Sequence, residues 1–145
     1  MAGLHLRLNK DEKMIVNGAA MHFLTETEFR FTNSVRFVYG RQLMAPSDAH
    51  NTARRLYLAI QNAYIGEPHE SAAAMTEAEL LIDLYREATT SPTARAVLDR
   101  IRASARTGDF YAAMRAARRL VRHEDAVLAS VGEHNTAESR VLAFR

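Results

Sequence analysis

The 145-residue chain is 48% hydrophobic with a formal net charge of +2, which is enough to bury one core, or two small ones that share an interface. It has no cysteine, which excludes disulfides, thiolate metal ligands and thiol catalysis. The start, Met1-Ala2-Gly3-Leu4-His5-Leu6-Arg7, lacks the apolar run of a signal peptide, and charges interrupt every later apolar stretch before about 18 residues, so a cytoplasmic protein is expected.

Apolar residues recur at every second position through the first 40 or so residues, the period of half-buried strands. Leu4, Leu6 and Leu8 alternate with His5 and Arg7, Phe29 and Phe31 flank Arg30, and Val35, Phe37 and Tyr39 flank Arg36. Asn9-Lys10-Asp11-Glu12, Asn17-Gly18, Glu26-Thr27 and Asn33-Ser34 are turn-prone, because Asn and Gly tolerate positive φ. Five strands are predicted, at roughly 4–8, 13–17, 19–25, 28–32 and 35–39.

The period then becomes helical. Ser47 or Asp48 offers an N-cap for a first helix carrying Ala53, Leu56, Tyr57, Ile60 and Tyr64, stopped by Gly66-Glu67-Pro68. A second helix, starting near Glu70 or Thr76, carries Leu80, Leu81, Leu84 and Tyr85 inward and ends before Thr89-Thr90. Ser91-Pro92 opens a third, with Ala94, Val97, Leu98, Ile101 and Ala105 inward and Arg95, Asp99, Arg102 and Arg106 outward. Gly108 ends it, and Asp109 caps a fourth whose stripe is Phe110, Met114, Ala117, Leu120, Val121 and Leu128, ending by Gly132. The expected fold is α+β: a small antiparallel sheet or barrel of about five strands (residues 1–45), then about four helices (46–132), in one unit with a flexible tail at 133–145.

Charge is sorted along these helices. Glu67 to Glu87 holds six acids against Arg86, whereas Arg95 to His123 holds eight arginines against Asp99 and Asp109. The two stretches either pair within the fold or present opposite potentials to partners. Lys10 and Lys13 are the only lysines, and arginine favours bidentate partners such as phosphate or carboxylate.

Catalytic and metal constellations are missing. The six histidines show no i, i+3 or i+4 pairing, and there is no nucleophile elbow, Walker-type loop or Gly-x-Gly-x-x-Gly, so no catalytic residue, metal or cofactor is expected.

Asn17-Gly18-Ala19 between two strands, Leu43-Met44 after the last strand, and Thr52-Ala53-Arg54-Arg55-Leu56-Tyr57-Leu58-Ala59-Ile60-Gln61 with Tyr64 resemble the FlbT family of flagellar regulators. Gly108-Asp109-Phe110-Tyr111 resembles that family's glycine-acid-aromatic opening of the last helix. The resemblance implies a post-transcriptional regulator that binds the 5′ leader of flagellin mRNA, changes its translation or stability, and is opposed by a small FlaF-like partner.

RNA binding requires arginines for phosphate and flat groups for unpaired bases. Two surfaces qualify. Arg7, Arg30 and Arg36 occupy the polar strand faces, opposite phenylalanines expected in the core, with Arg41 at the exit. Arg115, Arg118, Arg119 and Arg122 fall at i, i+3, i+4 and i+7, forming a ridge that meets phosphate, an acidic protein surface or the preceding acidic helix. Arg54 and Arg55 flank the buried stripe, so one of them approaches the sheet–helix border, either capping strand carbonyls or touching RNA. The competing function is a protein-interaction module that holds the FlaF-like partner or flagellin, and an exposed edge strand would also invite self-association.

Overall fold

The alternating runs become five short antiparallel strands in the computed structural model, which describes residues 5–33 and 35–134. They are β1 (His5–Leu8), β2 (Lys13–Val16), β3 (Ala19–His22), β4 (Thr27–Arg30) and β5 (Phe37–Tyr39). They do not close into a barrel. β1 pairs with β4 as a two-stranded ribbon, and β3, β2 and β5 form a separate sheet in that order. Strands of three or four residues span only about 10 to 14 Å, too short to tilt around a closed cylinder.

Between ribbon and sheet lies an aromatic core. Leu6, Leu8, Met14 and Phe23 are buried there, against Val16, Phe29, Phe31, Phe37 and Tyr39. Phe23, Phe29, Phe31, Phe37 and Tyr39 contact one another in succession, with ring centroids 5.1 to 5.9 Å apart. Phe23 is buried, and Phe29, Phe31 and Phe37, which alternate with arginine, are half-buried against this core. Period two sends Val38 and Ile15 to the other face of the sheet, where they join the helical core. The three-stranded sheet is thus a middle layer.

Four helices follow: α1 (Thr52–Ile65), α2 (Pro68–Ala88), α3 (Pro92–Arg106) and α4 (Phe110–His134). Neighbours in sequence are neighbours in space, and α4 returns to pack on α1, giving an up-and-down four-helix bundle. Alanines at the seams, among them Ala59, Ala63, Ala74, Ala78, Ala113 and Ala117, let the helices approach closely around Leu56, Ile60, Leu81, Ile82, Leu98, Ile101 and Leu120. Each of those large side chains contributes roughly 1.5 to 3 kcal/mol by leaving water.

Caps set the boundaries. Pro46–Asp48 forms a separate 3-10 turn, and Asn51, rather than Ser47 or Asp48, caps α1, its side chain accepting from the Arg54 N–H at 2.9 Å. α2 starts at Pro68, earlier than Glu70 or Thr76, because proline fits the first helical turn. Its buried stripe is Ala74, Ala78, Leu81, Ile82 and Tyr85; Leu80 and Leu84 are 59% and 51% exposed, correcting the expected inward set. Ser91 and Asp109 cap α3 and α4 as their spacing predicts. Leu128 is 54% exposed, and α4 continues past Gly132 to His134, since its last turns overrun the ends of α1 and α3. Leu4, Ser34 and the expected tail beyond residue 134 lie outside the described residues.

One clamp joins the two halves. Gln61 of α1, 2% exposed, accepts from the Met44 N–H at 2.9 Å and donates to the Met44 carbonyl at 3.0 Å. Two residues earlier in the same linker, the Gln42 carbonyl accepts from the Tyr57 hydroxyl at 2.5 Å. The chain leaving β5 is thereby fixed to α1.

Two stability predictions follow from this geometry. Gln61→Leu keeps the volume but leaves both Met44 backbone groups unsatisfied, costing about 1 to 3 kcal/mol and accelerating Met44 amide exchange; unchanged exchange would mean the linker is held some other way. Gly18 sits at φ +84° beside Asn17 at φ +47°, a two-residue turn of the I′ type. Gly18→Val is expected to cost about 1 to 2 kcal/mol and lower the melting temperature by several degrees, as thermal denaturation would show.

Candidate nucleic-acid interface

The arginines divide by the company they keep. On the outer face of α3, Arg102 pairs with Glu79 at 2.9 Å and with Asp83, and Arg106 pairs with Glu79 at 2.9 Å. Arg86 of α2 pairs with Asp99 at 3.1 Å and holds that carboxyl below its usual range. The acidic helix is therefore matched by α3, not by the ridge on α4. These pairs fix which faces of α2 and α3 meet.

What remains is a basic seam between α3 and α4. Arg100 of α3 and Arg115 and Arg119 of α4 surround a cleft of about 240 Å³ with Ser104, Ala112 and Ala116, and no acid lines it. Among the described residues these three arginines, and Arg122 beyond them, have no ion-pair partner. Guanidiniums without carboxylates keep their donors available for an incoming anion. Tyr111 stands one turn before Arg115 on the same face; its ring is 47% exposed and lies 6.5 Å from that of Tyr64. An exposed ring at the end of an arginine row is a platform for an unpaired base.

Arg118 behaves differently from its ridge neighbours. It is half-buried, donates to the Tyr57 hydroxyl at 3.0 Å, and places its guanidinium 5.2 Å from the centre of that ring. Burial raises the Tyr57 phenol above its ordinary range, against the opposing pull of Arg118. The contact packs α4 on α1 through a cation over an aromatic face. Arg54 serves the same seam, donating to Asp125 at 2.8 Å while its buried Nε has no partner. It holds α4 rather than capping strand carbonyls, which corrects that expectation. Arg55 is exposed beside a cleft floored by Leu81, Leu84 and Tyr85.

The sheet offers no comparable basic face. Arg7 is engaged by Glu26, Glu28 stands opposite Arg7 and 3.5 Å from His5, and Arg30 faces His5 across the ribbon. Arg36 is exposed, its backbone bonded to Asn17. The Arg41 side chain lies outside the described residues. Charges of both signs share the ribbon surface, so it lacks the one-signed field that RNA needs.

Arg100 and Tyr111 are absent from the sequence-derived set. Their signal was available: at 100° per residue, Arg100 lies roughly 160° around α3 from Arg102, on the side facing α4, and Tyr111 precedes Arg115 by one turn. Among the described residues no group of three His, Asp or Glu side chains is placed to hold a metal ion, and no helix is long and apolar enough to cross a membrane.

Known proteins place the chain in a family. It is 28% identical over 128 residues to the probable flagellum biosynthesis repressor protein FlbT of Rhizobium johnstonii, covering 86% of this chain and 83% of that protein. Proteins of the same name from Rhizobium leguminosarum bv. trifolii and Allorhizobium ampelinum are each 27% identical at the same coverage, and the name they share is that of a regulator, not of an enzyme. No solved structure matches. The family model for flagellar protein FlbT matches residues 4–128, running through the strands and all four helices, and the chain belongs to the FlbT family.

Proposed function

We propose that this chain regulates flagellin production in the cytoplasm by binding the 5′ leader of flagellin mRNA along the seam of α3 and α4, altering its translation or stability. The observation that carries the reading is the acid-free cleft of Arg100, Arg115 and Arg119, set in line with the exposed Tyr111. The arginines displace condensed cations from the phosphates, and a base released from pairing lies on the tyrosine ring. A single-stranded leader suits the site better than a duplex, because a narrow cleft and one exposed ring address splayed nucleotides and not a regular groove. The names of the relatives, as flagellum biosynthesis repressors, agree with this role.

A second reading has its own support. Leu80 and Leu84 stand exposed on α2 near the cleft of Leu81 and Tyr85, an apolar surface suited to a FlaF-like regulator or to flagellin. On that reading the chain acts on synthesis through a protein partner without touching RNA.

A gel shift with flagellin leader RNA in a salt series separates the two. Arg115→Gln with Arg119→Gln should weaken binding and reduce the slope of log affinity against log salt by about 1 to 2, because each phosphate contact on a single strand contributes roughly 0.7. Arg102→Gln with Arg106→Gln, which removes arginines already paired to α2, should leave the slope unchanged. Equal binding by the first variant would take the RNA off this seam, and no shift by the unaltered protein even at low salt would remove the RNA reading and leave the protein one.

A further inference from the structure

The three-stranded sheet has two edge strands, β5, which is partly buried, and β3, which is the exposed one. β2 is covered by β5 on one side and β3 on the other, whereas β3 pairs only with β2 and all four of its residues are exposed. In a two-residue hairpin the residues flanking the turn form a hydrogen-bonded pair, here Val16 with Ala19, and period two makes Met14 with Met21 the next. Phe23 continues the inward set, its N–H donating to the Glu12 carbonyl at 3.0 Å. The N–H and C=O groups of Ala20 and His22 therefore point away from the sheet. These two residues lie opposite Ile15 and Lys13, on the face that Ile15 turns toward the helices.

Along that face runs a cleft of about 770 Å³, with the hairpin (Ile15, Gly18, Ala19) as one wall and the start of α2 (its cap residue Glu67, with Glu70 and Glu77) as the other. The carboxyl end of α1 and the amino end of α2 meet beneath it, so their dipoles oppose each other and the three carboxylates set the sign of the potential. Glu79 and Asp83 are neutralised by α3, whereas among the described residues Glu67, Glu70 and Glu77 have no ion-pair partner.

We infer that the β3 edge and this acidic cleft form a docking site for an extended basic segment of a protein partner, which adds a strand against Ala20 and His22. Main-chain pairing supplies the affinity, and Lys or Arg at alternate positions of the added strand reach the three glutamates. A second copy of β3 fits poorly, because Ala19-Ala20-Met21-His22 brings no lysine or arginine and would leave the carboxylates unmatched. RNA is repelled by the same charges. The site lies across the bundle from the α3–α4 seam, so it stands independently of the RNA reading.

The test titrates the full chain with a fluorescent peptide of alternating valine and lysine, followed by anisotropy and by amide exchange. Saturable binding is expected, with slowed exchange at the Ala20 and His22 amides. Ala20→Pro should weaken it by about tenfold or more while the protein stays folded, since proline is tolerated where an edge N–H faces outward. Glu67→Gln, Glu70→Gln and Glu77→Gln together should also weaken it and flatten its salt dependence. Absence of saturable binding, or binding that Ala20→Pro leaves intact, overturns the proposal. So does a concentration-dependent dimer that Ala20→Pro abolishes and the peptide does not displace, which would make a second copy the occupant. Should Ala20→Pro fail to fold, exchange at Ala20 and His22 in the unaltered protein decides: slowing on peptide addition supports the site, and no change refutes it.

Discussion

The two-way hydrogen bond between Gln61 and the Met44 backbone is the constraint on which the arrangement depends. A strand layer and a helical bundle of this size could meet at many angles, because apolar burial is non-directional. Gln61 removes that freedom: a buried amide must satisfy both its ends, and Met44 presents a donor and an acceptor at the one position where it can. Tyr57, one helical turn earlier, binds the same linker at Gln42 and carries Arg118 over its ring. The fixed linker thus sets Tyr57, Tyr57 helps to seat α4, and the seating of α4 aims Arg115, Arg119 and Arg122 outward.

Electrostatics then act on a scaffold already chosen by packing. The small net charge hides a bipolar molecule. Acids on the α3 side of α2 are answered by Arg102 and Arg106, while those on its sheet side, Glu67, Glu70 and Glu77, face a cleft. Arginines on the inner seam of α3 and α4 face another. The bundle's order puts these two clefts on opposite sides, so an anionic and a cationic ligand could be held without competing for one surface.

Much of the fold was legible because two periods suffice to show it. Leu6 and Leu8 against His5 and Arg7 read directly as a half-buried strand, and Asn17-Gly18 as the turn of the hairpin of β2 and β3, since few other residues accept two successive positive φ values. The separation of ribbon and sheet was not legible: strand pairing is long-range, and nothing local distinguishes β1 beside β4 from β1 beside β2. Leu80 and Leu84 were misread because hydrophobicity marks the face of a helix only when the buried side is the richer one. In α2 the buried seam uses Ala74 and Ala78, whose small size serves close packing and leaves a weak signal. The ridge of arginines was visible as a row, but its division was not. Arg118 differs from Arg115 only through Tyr57, 61 residues earlier in the chain, and that contact exists only once α1 and α4 are antiparallel neighbours.

The central claim is that the acid-free arginine seam is where flagellin leader RNA is held. Photo-crosslinking of the leader to the purified protein, with the attached peptides read by mass spectrometry, tests it most directly. The account predicts adducts on the segments bearing Arg100 and Tyr111 to Arg119, with the ribbon arginines Arg7 and Arg30 unmodified. Adducts concentrated on β1 and β4, with α3 and α4 bare, would contradict it.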